Sequence, residues 1–125
     1  MILFFLLTKI LIPMDLTQND HLRAYGIAYR SLVRGIRVEW LLNYRGGSFL
    51  FPDNEYVIKE CQLKGVSYEY VDLQKESEIR KIIEENNMAS ILLEKAPKIA
   101  VYVPQNKEPW DDAVRLALEY AEIPY

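Results

Sequence analysis

The chain is poor in the residues that carry chemistry most directly: among its 125 residues there is one cysteine, Cys61, and one histidine, His21. A lone cysteine excludes an internal disulfide and any metal site built from several thiolates, and it says nothing of the redox compartment. The three spaced glycines of a dinucleotide fingerprint and the Gly-Lys-Ser/Thr ending of a phosphate loop are both missing. Low-complexity sequence is missing too. Lys and Arg are interspersed with Glu, and the formal net charge is -3, so there is no basic face for phosphate neutralisation and no nucleic acid is expected as a partner. Met1 to Leu7 is apolar, but Lys9 interrupts the run too early for a membrane span, and no basic residue opens it as in a secretory signal. Two readings of residues 1–8 stand side by side: the remnant of a degenerate export signal, or an extension of the first buried strand. The location is left open between the cytoplasm and export by a degenerate N-terminal signal.

What is present describes a folded domain. Half the residues are apolar and 26% are charged, which excludes global disorder. Lys9 to Met14 reads as a short buried strand. Asn19 or Asp20 caps a helix whose Leu22, Tyr25, Tyr29, Leu32 and Val33 share one face. Gly35 ends it, and a strand from Ile36 to Asn43 follows with Val38, Trp40 and Leu42 on one side and Leu41 on the other. Tyr44 to Ser48 is a loop. Pro52-Asp53 opens a second helix with Val57, Ile58 and Cys61 inward, and Gly65 closes it. A strand from Val66 to Val71 precedes a charged helix from Ser77 to Asn86, striped by Ile79, Ile82 and Ile83.

Residues 87–97 are readable as a linker or a short edge element. Ile99 to Val103 is the most strand-like run in the chain, and Trp110 to Ala121 carries a helical stripe of Val114, Ala117, Leu118 and Ala121. That last helix runs into Glu122-Ile123-Pro124-Tyr125, the opening of a further helix-to-strand junction. Strands alternating with helices predict βαβ units. The expected fold is α/β: a three-layer, mainly parallel sheet with flanking helices, Rossmann/flavodoxin-like or amidotransferase-like, and incomplete. Its expected divisions are 9–86 for the first α/β units and 98–125 for the start of a second region.

Parallel sheets bind ligands at the carboxyl ends of their strands, where the loops Asp15 to Asn19, Tyr44 to Ser48 and Gln105 to Glu108 should meet. Asp15, Thr17, Arg45, Gly46, Gly47, Ser48 and Lys107 are the candidate ligand-binding residues. Arg45 can present a planar donor fork beside the N–H groups of Gly46 and Gly47, so a small anion is the expected ligand. The competing reading makes Gly46-Gly47 a tight turn and Arg45 and Lys107 solvated charges. His21 opens a helix without a neighbouring nucleophile to serve. Cys61 lacks the glycine-flanked turn that exposes a nucleophile and reads as core packing. Asp111 and Asp112 complement a helix dipole. No cofactor, no metal and no catalytic motif are read from these residues.

Leu22-Arg23-Ala24-Tyr25-Gly26-Ile27-Ala28-Tyr29, Val38 to Phe49 with its Trp-Leu-Leu-Asn-Tyr-Arg-Gly-Gly-Ser run, Lys95 to Tyr102, and Pro109-Trp110-Asp111-Asp112-Ala113-Val114 together carry a resemblance. The chain resembles, from Ile10 onward, a family of bacterial proteins commonly labelled asparagine synthetase B. The resemblance implies a longer protein with a class I glutamine-amidotransferase-like α/β region, of which this chain is the amino-terminal part. The catalytic residues of a true asparagine synthetase B do not transfer. That enzyme has a cysteine after its initiator Met and a Ser-Gly-Gly-x-Asp-Ser loop for ATP, whereas position 2 here is Ile2 and Arg45-Gly46-Gly47-Ser48 lacks the Asp. The expectation is a non-catalytic domain that binds a small anionic ligand or a protein partner. The alternative is part of an amidotransferase-like enzyme whose catalytic residues lie beyond Tyr125. The unfinished junction also predicts self-association through exposed apolar surface.

Overall fold

A computed structural model describes residues 8–102 and 112–125. Its strands are β1 (Lys9–Ile12), β2 (Val38–Leu41), β3 (Ser48–Pro52), β4 (Glu69–Val71) and β5 (Ser90–Leu93). Its helices are α1 (His21–Val33), α2 (Glu55–Lys64), α3 (Leu73–Glu85) and α4 (Asp112–Ala121).

Local chemistry places the helix ends. Asp20 accepts a hydrogen bond from the Arg23 amide, Asn54 from Tyr56, and Asp72 from Lys75, each satisfying an orphan N–H at a helix start for about 1 kcal/mol. Gly65 ends α2 at φ 69°, where a side chain would be strained.

The sheet is not parallel. Its order is β4-β1-β3-β2-β5, and every neighbouring pair is antiparallel. The expected mainly parallel, Rossmann-like sheet is therefore corrected, and the cause is one strand. Phe49-Leu50-Phe51 had no place among the expected elements, yet these residues form the centre of β3. The reversal that delivers them is a 3-10 turn, Tyr44–Gly46, with Arg45, Gly46 and Gly47 at φ 47°, 82° and 92°. It folds β3 back antiparallel to β2, and β3 then fills the slot between β2 and β1. Since β1 and β2 both oppose β3, they still run in the same direction, with α1 as the crossover between them.

Two further expectations are corrected. Ile99 to Tyr102 has no regular secondary structure, while the ambiguous 87–97 stretch supplies edge strand β5; Val103 lies outside the described residues. The inward side of α1 is Ala24, Ile27, Ala28 and Ser31, whereas Leu22, Tyr25 and Val33 remain largely exposed. The packing around α1 explains this. The helix has the sheet on one side and α4 on another, and close approach demands small residues: a Cβ on Gly26 would sit 1.8 Å from the Ala121 carbonyl oxygen.

Alternation along the strands builds two cores. On one face Ile10, Ile12, Val38, Phe49 and Phe51 pack under Ile27 of α1 and Val57 and Cys61 of α2. On the other, Leu11, Leu41, Leu50 and Val71 meet Ile79 and Ile83 of α3. Half-exposed Ile82, the third residue of the expected stripe, lies off that contact.

Candidate functional site

The loops after β1 and β2 do share one end of the sheet, because those two strands run the same way. Gly46 packs directly on the β1 exit: a Cβ there would lie 2.5 Å from the Met14 carbonyl oxygen, and the Met14 amide donates to the Arg45 carbonyl at 3.2 Å. This brings Asp15, Thr17, Arg45 and Ser48 together. Lys107 lies outside the described residues.

All three nitrogens of the Arg45 fork are engaged within that cluster. Nε donates to Asp15 Oδ2 at 2.8 Å, Nη1 to Glu69 Oε1 at 3.0 Å, and Nη2 to Thr17 Oγ1 at 3.2 Å. Asp15 Oδ1 accepts from the Thr17 amide and hydroxyl. These bonds hold the Asp15 carboxyl down at about 2, with the Thr17 hydroxyl the largest cause and Arg45 the next. Glu69, then Asp15, pushes the Arg45 guanidinium further up. Ser48 is buried and donates to the Arg45 carbonyl, while the Gly47 amide is used inside the turn on Tyr44. One guanidinium facing two carboxylates leaves a net negative cluster in which each guanidinium nitrogen already has a partner. It clamps the β1 exit, the turn and β4, and it offers an incoming anion little.

The other reactive side chains are also committed. His21 Nε2 lies 3.1 Å from the Met14 carbonyl oxygen and 2.9 Å from that of Asp15, so this nitrogen carries the proton and ties the loop to the start of α1. Cys61 is buried, and burial, then the neighbouring Glu60 charge, pushes its thiol up to about 12. Among the described residues no three His, Cys, Asp or Glu side chains are placed to hold a metal ion.

A different concavity lies over the α1 face of the sheet. It is a cleft of about 300 Å³ whose lining includes Tyr25, Tyr29, Trp40, Phe49, Leu93 and Pro97, together with Lys95 and Ile123. Its aromatic wall is ordered. Trp40 stacks on Phe49 at 6.0 Å, Tyr25 meets Phe49 edge-on at 5.8 Å, and Trp40 Nε1 donates to the Gly47 carbonyl. Tyr29 donates its hydroxyl proton to the Pro97 carbonyl at 2.6 Å, which holds the chain after β5 against α1. Lys95 is exposed, and no ion pair engages it among the described residues. Sequence reasoning missed this site because it assigned Tyr25, Tyr29 and Trp40 to the core. The available signal was the Tyr25–Tyr29 spacing of four residues on a helix otherwise lined with small residues.

Comparison with protein-family models, with curated proteins and with solved structures gives no match for this chain. The resemblance to proteins labelled asparagine synthetase B therefore rests on the sequence segments alone.

Proposed function

We infer that the chain is a non-catalytic binding domain of a longer, amidotransferase-like protein, and that it binds a small molecule with a flat apolar body and one anionic group. The sequence resemblance supports the first part. The observation that carries the second is the aromatic cleft. Ligand sites are concave and largely apolar, with few polar groups to set orientation, and this cleft joins four aromatic rings to a single lysine that has no ion pair among the described residues. The anion thus belongs beside Lys95, while Arg45 is taken up by Asp15 and Glu69.

The test is titration of the 125-residue chain with 2-naphthoate, followed by amide and aromatic NMR shifts. Saturable changes are expected at Tyr25, Tyr29 and Phe49. Lys95→Ala should weaken binding about twofold to fivefold, the size of an exposed charge contact, and Tyr25→Ala should weaken it without unfolding the domain. Shifts that scatter over the surface, or that neither substitution alters, would refute the reading.

A further inference from the structure

The opposite face of the sheet carries a second concavity, built by strand alternation. In the registers Lys9↔Pro52, Glu39↔Leu50 and Glu39↔Leu92, paired residues point to the same side, and Arg37 lies two residues before Glu39 and therefore on that side too. Together Lys9, Arg37, Glu39, Leu50, Pro52 and Leu92 line a cavity of about 200 Å³. Glu76 and Arg80 of α3 bond two of its lining residues, Lys9 and Glu39.

Counting charges around it singles out one group. Arg80 grips both oxygens of Glu39 and also donates to Glu76 at 3.0 Å, while Lys9 donates to Glu76 at 2.8 Å. Two carboxylates are thereby matched by two cations. Arg80, ahead of any other group, holds the Glu39 carboxyl below its usual range, so Glu39 stays ionised inside this pairing. Arg37 is left over. It is exposed and has no ion pair among the described residues, and the wall beside it is apolar: Leu50, Pro52 and half-exposed Leu92.

We propose that this cavity is a second binding subsite, taking a short aliphatic carboxylate whose charged end meets Arg37 and whose chain lies over Leu50, Pro52 and Leu92. A guanidinium presents two parallel N–H donors that match a carboxylate, which selects the head group. The cavity volume of about 200 Å³ has room for about seven waters at about 30 Å³ each, or an acid of about five or six carbons. The subsite is separated from the aromatic cleft by the full thickness of the sheet, so each stands or falls alone.

The probe is sodium hexanoate, titrated into the full 125-residue chain with backbone NMR shifts as readout. Saturable shifts confined to Arg37, Leu50 and Leu92, at millimolar concentration, are the expected result. Arg37→Ala should weaken binding at least tenfold, Arg37→Lys should restore part of it, and Lys98→Ala should leave it unchanged. Equal binding of 1-hexanol would overturn the proposal by removing any role for the charge. Equal binding of inorganic phosphate would overturn it by removing any role for the chain. Hexanoate shifts at Tyr25 and Phe49 instead would overturn this subsite while supporting the aromatic cleft.

Discussion

Substituting Gly26 by alanine opposes two effects of known sign. Gly26 lies inside α1 on helical backbone, so propensity alone favours Gly26→Ala by about 1 kcal/mol. Packing opposes it. The new Cβ would fall 1.8 Å from the Ala121 oxygen and 2.8 Å from its carbonyl carbon, both backbone atoms, so the end of α4 must move away. That movement breaks the bonds from Arg30 Nη1 to the carbonyls of Ala121 at 2.7 Å and Glu122 at 3.2 Å. It also separates the Arg23 guanidinium from the Tyr120 ring 4.5 Å below it, and Lys64 from Glu122. A charge-assisted hydrogen bond contributes about 1.5–3 kcal/mol, an exposed cation–π contact about 0.5–1 kcal/mol, and a surface ion pair about 0–1 kcal/mol. Counting the two carbonyl bonds of Arg30 Nη1 as one shared charge-assisted contact, undocking costs about 2–5 kcal/mol on these principles, and the variant should be less stable by about 1–4 kcal/mol after the helix gain is subtracted. Urea denaturation followed by circular dichroism measures that difference, and hydrogen exchange locates it: amides of Leu116 to Ala121 should exchange faster in the variant. A Gly26→Ala chain at least as stable as the parent, with α4 protection unchanged, would refute the docking of α4 on α1.

The turn and its clamp give two more tests. Arg45→Ala strips Asp15 and Glu69 of their partner and should cost about 1–3 kcal/mol; Arg45→Gly loses the same bonds but relieves a left-handed residue at φ 47°, so it should be milder by about 1 kcal/mol. Equal urea midpoints for the two variants would rule out strain at this position. Asp15 is held at about 2 in the folded chain against an ordinary value of 3.8. A depressed carboxyl stabilises the fold above its unfolded value and loses that contribution as pH falls through the folded one, so the gap between parent and Asp15→Asn should narrow from pH 4 to pH 2. A gap that is the same at pH 6 and pH 2 in urea titrations would sink this assignment.

Local chemistry determined the helix ends. Asp20, Asn54 and Asp72 each bond an amide two or three residues on, and Gly65 takes a left-handed angle; the Asp20 cap and the Gly65 stop were legible in short stretches of chain, whereas α2 was expected to open at Pro52-Asp53 and α3 at Ser77, and they start at Glu55 and Leu73. The buried sides of α2 and α3 were legible for the same reason: Val57 with Cys61, and Ile79 with Ile83, repeat at helical spacing against a single covering layer. The α1 face was not legible, because which side of a helix is buried depends on how many partners it has, and α4 comes from the far end of the chain.

Strand direction escaped the sequence altogether. Ser48-Phe49-Leu50-Phe51 is a short apolar run, and its sense relative to β1 depends on a turn that uses a left-handed arginine, which propensity disfavours. That arginine is tolerated because Asp15, Thr17 and Glu69, drawn from two other segments, hold its side chain. The sites follow the same division. The sequence supplied Asp15, Thr17 and Arg45 as neighbours at one sheet end, since parallel β1 and β2 bring their exits together whatever lies between them. Only the tertiary structure decided that Glu69 completes their pairing, that Trp40 and Phe49 stack into a cleft wall, and that Arg37 has no carboxylate partner among the described residues. Each of those outcomes depends on which strands are neighbours, a long-range pairing that no local pattern encodes.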